Sequence, residues 1–190
     1  MPKILLLFTA VDWPMYMRRP AVYALARASR RYDITVVAVN RPLCPFTTVM
    51  TKRARTSELF GAARLEKLGD HLYLYSPKYL LHDRLARLLP GVEQVNIRLL
   101  RHSYRSLQRR LGIHEPHPLI WFNYPQQGYV SGICKESFTI MELYDNLVDI
   151  SGRELPGVTE IEKSVRPRVD LLLTTSRKLQ EKYGGGYRRS

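Results

Sequence analysis

The sequence predicts an α/β protein built on a doubly wound, mostly parallel sheet flanked by helices, and three observations predict it. Short continuous apolar runs recur along the chain, as parallel strands covered on both faces require. Segments with helical apolar spacing alternate with those runs, the order that yields βαβ units. The chain has 190 residues, 45% of them apolar and 25% charged, which is enough to bury one substantial core.

Residues 4–8 are the first apolar run. The run is short and gives way to Asp12 without a small-residue cleavage pattern, so it reads as a buried strand and not as a targeting segment. No stretch reaches the roughly 18 apolar residues of a spanning helix, and a cytoplasmic chain is the expectation. A polar, aromatic loop at 9–17 precedes a helix in which Val22, Leu25 and Ala26 share one face. Arg27, Arg30 and Arg31 sit at its end, where cations suit the helix dipole. Residues 34–39, rich in β-branched side chains, complete a βαβ unit whose crossover is right-handed.

The middle is less regular. Residues 41–57 carry Pro42 and Pro45 and read as a long loop. Residues 71–75 read as a third strand, and 80–89 and 92–111 as two helices separated by Pro90 and Gly91. Strands are expected at 119–122, 138–143 and 171–174, and helices at about 157–168 and at 176–183, the last with Ser176 as its N-cap. In such sheets ligands bind beyond the carboxyl ends of the strands. Those ends are residues 9–17, 40–45, 123–127, 144–149 and 175–176.

Several chemistries are excluded. No G-x-G-x-x-G follows the first strand and no G-x-x-x-x-G-K-[ST] occurs, which argues against dinucleotide and P-loop enzymes. The spacing from Gly128 to Gly132 is wrong for a nucleophile elbow. His114, Glu115 and His117 are interrupted by Pro116 and Pro118, so a proline-rich loop is expected there and no metal site. Cys44 and Cys134 lie far apart with no C-x-x-C pair, and support neither a disulfide framework nor a metal.

Three groups of residues could carry chemistry. Asp12, Trp13, Tyr16, Arg18 and Arg19 follow the first strand. Aromatic rings cover sugar faces and arginine forks hold phosphate or carboxylate oxygens; the other role open to Trp13 and Tyr16 is to plug the top of the sheet. Glu142, Tyr144, Asp145 and Asp149 carry another strand into its loop. A general base that deprotonates a hydroxyl must be a positioned carboxylate or imidazole, which makes Asp145 or Asp149 the candidates, with Asp12 a third; the other role open to Asp145 and Asp149 is to cap a helix or turn. Asn123, Tyr124 and Gln126 add a third polar strand end.

The charge balance is unusual. Thirty basic against 17 acidic residues give a net charge of +13, which implies a polyanionic neighbour. In the helix at 92–111, Ile97, Leu100, Tyr104, Leu107 and Leu111 form an apolar stripe with Arg98, Arg101, Arg105 and Arg109 beside it. The helix before it pairs Leu81, Leu85 and Leu88 with Arg84 and Arg87. An exposed apolar ridge would make these arginines a membrane-surface element; a core-facing one would leave them solvated. A basic, non-catalytic nucleic-acid-binding or membrane-surface-binding module is therefore the alternative reading. Nucleic acid is the poorer partner, because no aromatics interleave with the arginines.

Four segments, taken together, resemble a known family. They are residues 13–20 with Ala24, Leu25 and Ala26 behind, residues 119–125, Tyr144 and Asp145 with Asp149, and residues 170–176. In order and spacing they are similar to the N-terminal halves of bacterial GT-B glycosyltransferases, the group-1 or family-4-like enzymes of cell-surface polysaccharide biosynthesis. The resemblance implies a hexosyltransferase with two Rossmann-like domains facing each other across a cleft. It implies that 1–183 is the N-terminal, acceptor-side domain and that 184–190 is a tail or the start of the crossing. The C-terminal donor-binding domain, with its motif of two glutamates, is absent from this chain, and the fragment alone is expected to be inactive. A nucleotide-sugar donor, held mainly by the absent domain, and a lipid-linked or polysaccharide acceptor are the implied substrates, with no metal and no cofactor. The implied location is cytoplasmic, peripheral on the inner face of the membrane. On this resemblance Asp12, Trp13, Tyr16, Arg18, Arg19, Asn123, Tyr124, Gln126, Tyr144 and Ser176 line the substrate side. The first loop is aromatic and acidic where many relatives are glycine-rich, so no donor-phosphate contact carries over to 9–17.

Overall fold

The computed structural model describes residues 3–9, 13, 20–40, 63–77, 89–113, 117–136, 138–144, 153 and 158–187. Seven strands form one sheet: β1 (Lys3–Phe8), β2 (Ile34–Val39), β3 (Arg64–Gly69), β4 (Leu72–Ser76), β5 (Leu119–Phe122), β6 (Phe138–Leu143) and β7 (Leu171–Thr174). Their order is β3-β4-β2-β1-β5-β6-β7, and every neighbouring pair is parallel except β3 with β4. The described helices are α1 (Pro20–Tyr32), α2 (Val92–Leu111), α3 (Val158–Val165) and α4 (Arg177–Tyr183), with 3₁₀ segments at Pro125–Val130 and Arg166–Arg168.

The two faces of the sheet bury different partners. Leu7 and Ala38 pack against Trp13 and Val22, with Leu25 of α1 at the margin. On the opposite face Leu6, Phe8, Val37, Ile120, Phe122, Met141 and Leu172 meet Leu100, Tyr104 and Leu107 of α2, Val158 and Val165 of α3, and Leu179 and Tyr183 of α4. Period-2 alternation in the strands is what divides these residues between the layers. Helices α1 and α3 thus lie on opposite faces, as right-handed crossovers require when the chain winds outward in both directions from β1.

Local chemistry sets the element ends. Gly112 ends α2 in the left-handed region (φ 63°), where its N–H and that of Ile113 reach the carbonyls of Arg109 and Gln108. Ser176 takes an extended conformation and its hydroxyl accepts from the Leu179 N–H at 3.3 Å, as an N-cap should. Asp33 turns α1 into β2 with φ 50°, a conformation that Asp tolerates better than most residues.

Two expectations need correction. The hairpin strand β3 was not foreseen: its sequence, RLEKLG, is mostly exposed and charged, and its register slips between Lys67 and Gly69, so no apolar period marks it. Edge strands are protected from further pairing by such charge and irregularity. The helix expected at about 157–168 ends at Val165 and tightens to 3₁₀ at Arg166–Arg168, because the residue before Pro167 is pushed away from helical geometry. The loop expected at 41–57 and the helix at 80–89 lie outside the described residues, Leu89 apart.

Candidate functional site

From β1 the chain winds through β2 and β4 to one edge, then returns to β5 beside β1 and winds to the other. The switch point is between β1 and β5, and ligands of doubly wound sheets bind at the carboxyl ends there. A single side chain joins the two ends. The Gln127 amide oxygen accepts from the Asn123 and Tyr124 N–H groups at 3.0 and 3.2 Å, while its nitrogen donates to the Thr9 carbonyl at 3.3 Å. The Thr9 hydroxyl in turn donates to the Val39 carbonyl at 3.2 Å. Backbone groups at the mouth of the crevice are therefore satisfied by the site's own side chains.

Beside this bridge lies a buried carboxylate. Glu142, 8% exposed on β6, receives three donors on one oxygen. Trp121 Nε1 donates to Oε2 at 3.0 Å, Asn123 Nδ2 at 3.2 Å and the Tyr144 hydroxyl at 2.8 Å. Strand geometry brings them together: Trp121 and Asn123 share one face of β5, Glu142 and Tyr144 share that face of β6, and Trp121 lies opposite Ile140 in the register. Three converging donors are the arrangement that stabilises buried negative charge.

Asn123 is fully buried, and its orientation follows from this network. Its nitrogen faces Glu142 Oε2 and the Tyr144 oxygen, both at 3.2 Å, so exchanging the amide atoms would set oxygen against carboxylate. Its own oxygen, Oδ1, has no hydrogen-bond partner. A buried acceptor left unmade costs about 1–3 kcal/mol. Such orphans in a native fold call for an explanation, and a ligand donor or an ordered water is one.

The sequence-derived site residues fall into three groups. Asn123 and Tyr144 belong to the carboxylate network, and Tyr124 and Gln126 lie half-buried beside it at the start of the 3₁₀ segment. Trp13 takes the second of its two roles: the residue is 3% exposed within the core under α1, not on a crevice wall, and its backbone N–H donates to Asn40 Oδ1 at 3.1 Å. Ser176 is exposed and its hydroxyl is engaged as the α4 cap. Asp12, Tyr16, Arg18, Arg19, Asp145, Asp149, Arg84 and Arg87 lie outside the described residues. Glu142, which the sequence placed with Tyr144, Asp145 and Asp149 but without a role of its own, is the centre of the network. Its signal was a carboxylate inside the apolar run FTIMEL, two positions before Tyr144.

The arginine stripe is also redefined. Leu100, Tyr104 and Leu107 of α2 are buried in the core and Ile97 and Leu111 pack against it, so the apolar ridge is not exposed. Arg101 donates to the carbonyls of Gly132 and Ile133 at 2.9 and 3.2 Å. Arg98, Arg105 and Arg109 point to solvent. Among the described residues no three His, Cys, Asp or Glu side chains gather as metal ligands, and no helix is long and apolar enough to cross a membrane.

Comparison with solved structures gives a likeness of fold. The chain is similar to an α,α-trehalose-phosphate synthase (UDP-forming) from Burkholderia vietnamiensis, with a TM-score of 0.50 and 9% identity over 97% of this chain and 41% of that one. A UDP-forming α,α-trehalose-phosphate synthase from Burkholderia xenovorans gives a TM-score of 0.44 and 13% identity over 90% of this chain and 39% of that one. The chain thus spans about two fifths of the length of these proteins. No family model matches the chain, and no curated protein matches it. At such identity the likeness concerns architecture: a Rossmann-like α/β domain with a seven-stranded, mostly parallel sheet and flanking helices.

Proposed function

We propose that this chain is the acceptor-side domain of a glycosyltransferase that moves a sugar from a nucleotide-sugar donor to a lipid-linked or polysaccharide acceptor. The observation that carries the reading is the Glu142, Asn123, Tyr144 and Trp121 network across β5 and β6, beside the β1–β5 switch point. Polar side chains held there by their own hydrogen bonds are preorganised to meet hydroxyl groups without rearrangement. The fold likeness and the four matching sequence segments support the sugar as the ligand class.

In this reading Tyr144 faces the acceptor, the buried Asn123 supports it from beneath, and Glu142 is a positioning residue that fixes both. Asp145 or Asp149, following β6 in the sequence, deprotonates or orients the acceptor hydroxyl, with Asp12 the third candidate for that role; Tyr16, Arg18 and Arg19 are the further substrate-binding candidates. The nucleotide of the donor is held mainly by a domain outside this chain.

The test is a transfer assay with the protein from its natural source. Radiolabelled UDP-, GDP-, ADP- and dTDP-hexoses are supplied, and label is followed into lipid-extractable and polymeric fractions. Transfer is expected, with losses of roughly a hundredfold or more for single Asn replacements among Asp12, Asp145 and Asp149. Full activity in all three variants would remove the base assignments; absence of transfer from every donor would remove the glycosyltransferase reading.

A further inference from the structure

Donors and acceptors are unequally used where β5 and β6 end. Trp121 Nε1 carries one proton and gives it to Glu142 Oε2 at 3.0 Å. The Tyr144 hydroxyl carries one and gives it to the same oxygen at 2.8 Å. Asn123 Nδ2 carries two, directed at Glu142 Oε2 and at the Tyr144 oxygen, each at 3.2 Å. Neighbouring hydroxyls are committed as well: Thr9 donates to the Val39 carbonyl at 3.2 Å and Thr175 to the Tyr144 carbonyl at 2.6 Å. The polar protons of Trp121, Asn123 and Tyr144 are thus used inside the protein. The acceptors are not, since Asn123 Oδ1, in a residue with no exposed surface, has no hydrogen-bond partner. Charge runs the same way. The chain carries +13, yet residues 9–17, 123–127 and 144–149, which follow β1, β5 and β6, include Asp12, Asp145 and Asp149 and neither Lys nor Arg. Arg18 and Arg19 come directly after the first of these segments.

We propose that this end of the crevice takes the uncharged hydroxyl groups of a sugar and turns away phosphate and carboxylate, with Glu142 the residue that sets the preference. The inference rests on the acceptor-site reading above and narrows it to an unphosphorylated, neutral sugar ring. A sugar hydroxyl brings a proton of its own, which a site with spent donors and an unmet acceptor can receive. A phosphate or carboxylate brings acceptors only, together with a negative charge, and meets a carboxylate whose surrounding donors are already engaged. Glu142 acts twice. Its charge opposes an anion, and it holds the Asn123 nitrogen inward, which leaves the amide oxygen as the unmet group. With glutamine at 142 the Asn123 amide is free to reverse and present its nitrogen instead. The basic surface as a whole attracts anions from a distance, so the discrimination against them is local to this network.

The experiment is NMR titration of the 190-residue chain with matched probes: glucose, galactose and mannose, each against its 6-phosphate and its uronic acid. Titrations are run at low salt and at about 1 M salt, where a Debye length of about 3 Å removes the long-range pull of the basic surface. At high salt the neutral member of at least one set is expected to bind roughly tenfold or more tightly than either anionic partner. Glu142→Gln should narrow that ratio roughly tenfold, weakening the neutral sugar and strengthening the anionic ones. Loss of structure alone would weaken all of them alike, and circular dichroism checks the fold of the variant. The ratio in the unsubstituted chain is read without any variant. An anionic sugar bound as tightly as its neutral partner at high salt, or a ratio that folded Glu142→Gln leaves unchanged, would overturn the preference and leave the acceptor site standing. Binding of no sugar in any set would remove that reading and the preference with it.

Discussion

Glu142 and Glu162 are both buried carboxylates, and the fold holds them in different ways. Glu162, 1% exposed on α3, is gripped on both oxygens by the fork of Arg166 at 3.1 and 2.7 Å, one helical turn away. Tyr187 adds a hydroxyl at 2.5 Å, and Arg166 also donates to the Gly185 carbonyl, so the chain after α4 is clasped to α3. On one oxygen Glu142 receives uncharged donors from Trp121 on β5 and from Asn123 and Tyr144, the residues just beyond β5 and β6. The first arrangement neutralises a charge to fasten a segment. The second keeps a carboxylate at the end of the sheet and uses it to orient Asn123 and Tyr144. A charge-compensated pair is a fastening; an oriented set of neutral donors and acceptors is a surface prepared for a ligand.

The largest expected effect breaks the fastening. Arg166→Ala leaves Glu162 buried without its counter-ion and should cost about 3–5 kcal/mol in urea denaturation. Glu142→Gln keeps shape and an acceptor oxygen, and should cost about 1 kcal/mol or less. If the two variants lose similar stability, the distinction between the carboxylates fails. Next is the contact that seats the crevice's 3₁₀ segment on α3. A Cβ at Gly128 would lie 2.1 Å from Val165 Cγ2, so Gly128→Ala should cost about 2–3 kcal/mol, and Val165→Ala in the same chain should restore part of it. A double-mutant cycle in thermal denaturation reads the coupling directly. The smallest effect is Ser176→Ala, about 1 kcal/mol through the lost α4 cap, with no effect on Glu142 or Glu162.

Alkaline pH tests the burial on the α2 and α3 side. Burial pushes the Cys134 thiol up to about 12, with Glu136 adding to the rise and Arg101 opposing it. Burial and the hydrogen bond to Glu162 likewise raise the Tyr187 phenol. Each group holds its proton in the folded chain after the unfolded chain has released it, so the unfolded state binds fewer protons and stability falls with pH. Stability is therefore complete below pH about 9 and declines toward pH 12, and alkylation of Cys134 at pH 8 is slow. Flat stability from pH 8 to pH 11 would contradict this account.

Much of the fold was legible because parallel strands buried on both faces write themselves as unbroken apolar runs. Residues 34–39, 119–122, 138–143 and 171–174 carry that signature and form strands with those bounds. Strand β3 carries none, since an exposed edge with a register slip has no reason to be apolar. The 3₁₀ segment Pro125–Val130 was hidden because its defining partner, the Gln127 side chain, caps residues upstream of itself. The crevice was legible as a place, from the carboxyl ends of the strands. The role of its central carboxylate was not, because the Glu142 partners Trp121 and Asn123 lie 21 and 19 residues away and meet it only through the β5–β6 register. Trp13 misled for the opposite reason: a tryptophan in a loop next to arginines suggests a ligand wall, while its area is worth more in the core.

Saturation-transfer NMR on the 190-residue chain, with a panel of hexoses, hexose phosphates and disaccharides, tests the central claim most directly. Saturation is expected on the protons of at least one sugar, and Glu142→Ala, folded as judged by its circular dichroism, should abolish it by removing the acceptor that orients Asn123 and Tyr144. Equal saturation by the variant and the wild type, or none on any sugar, would contradict the assignment of the switch-point network as an acceptor site.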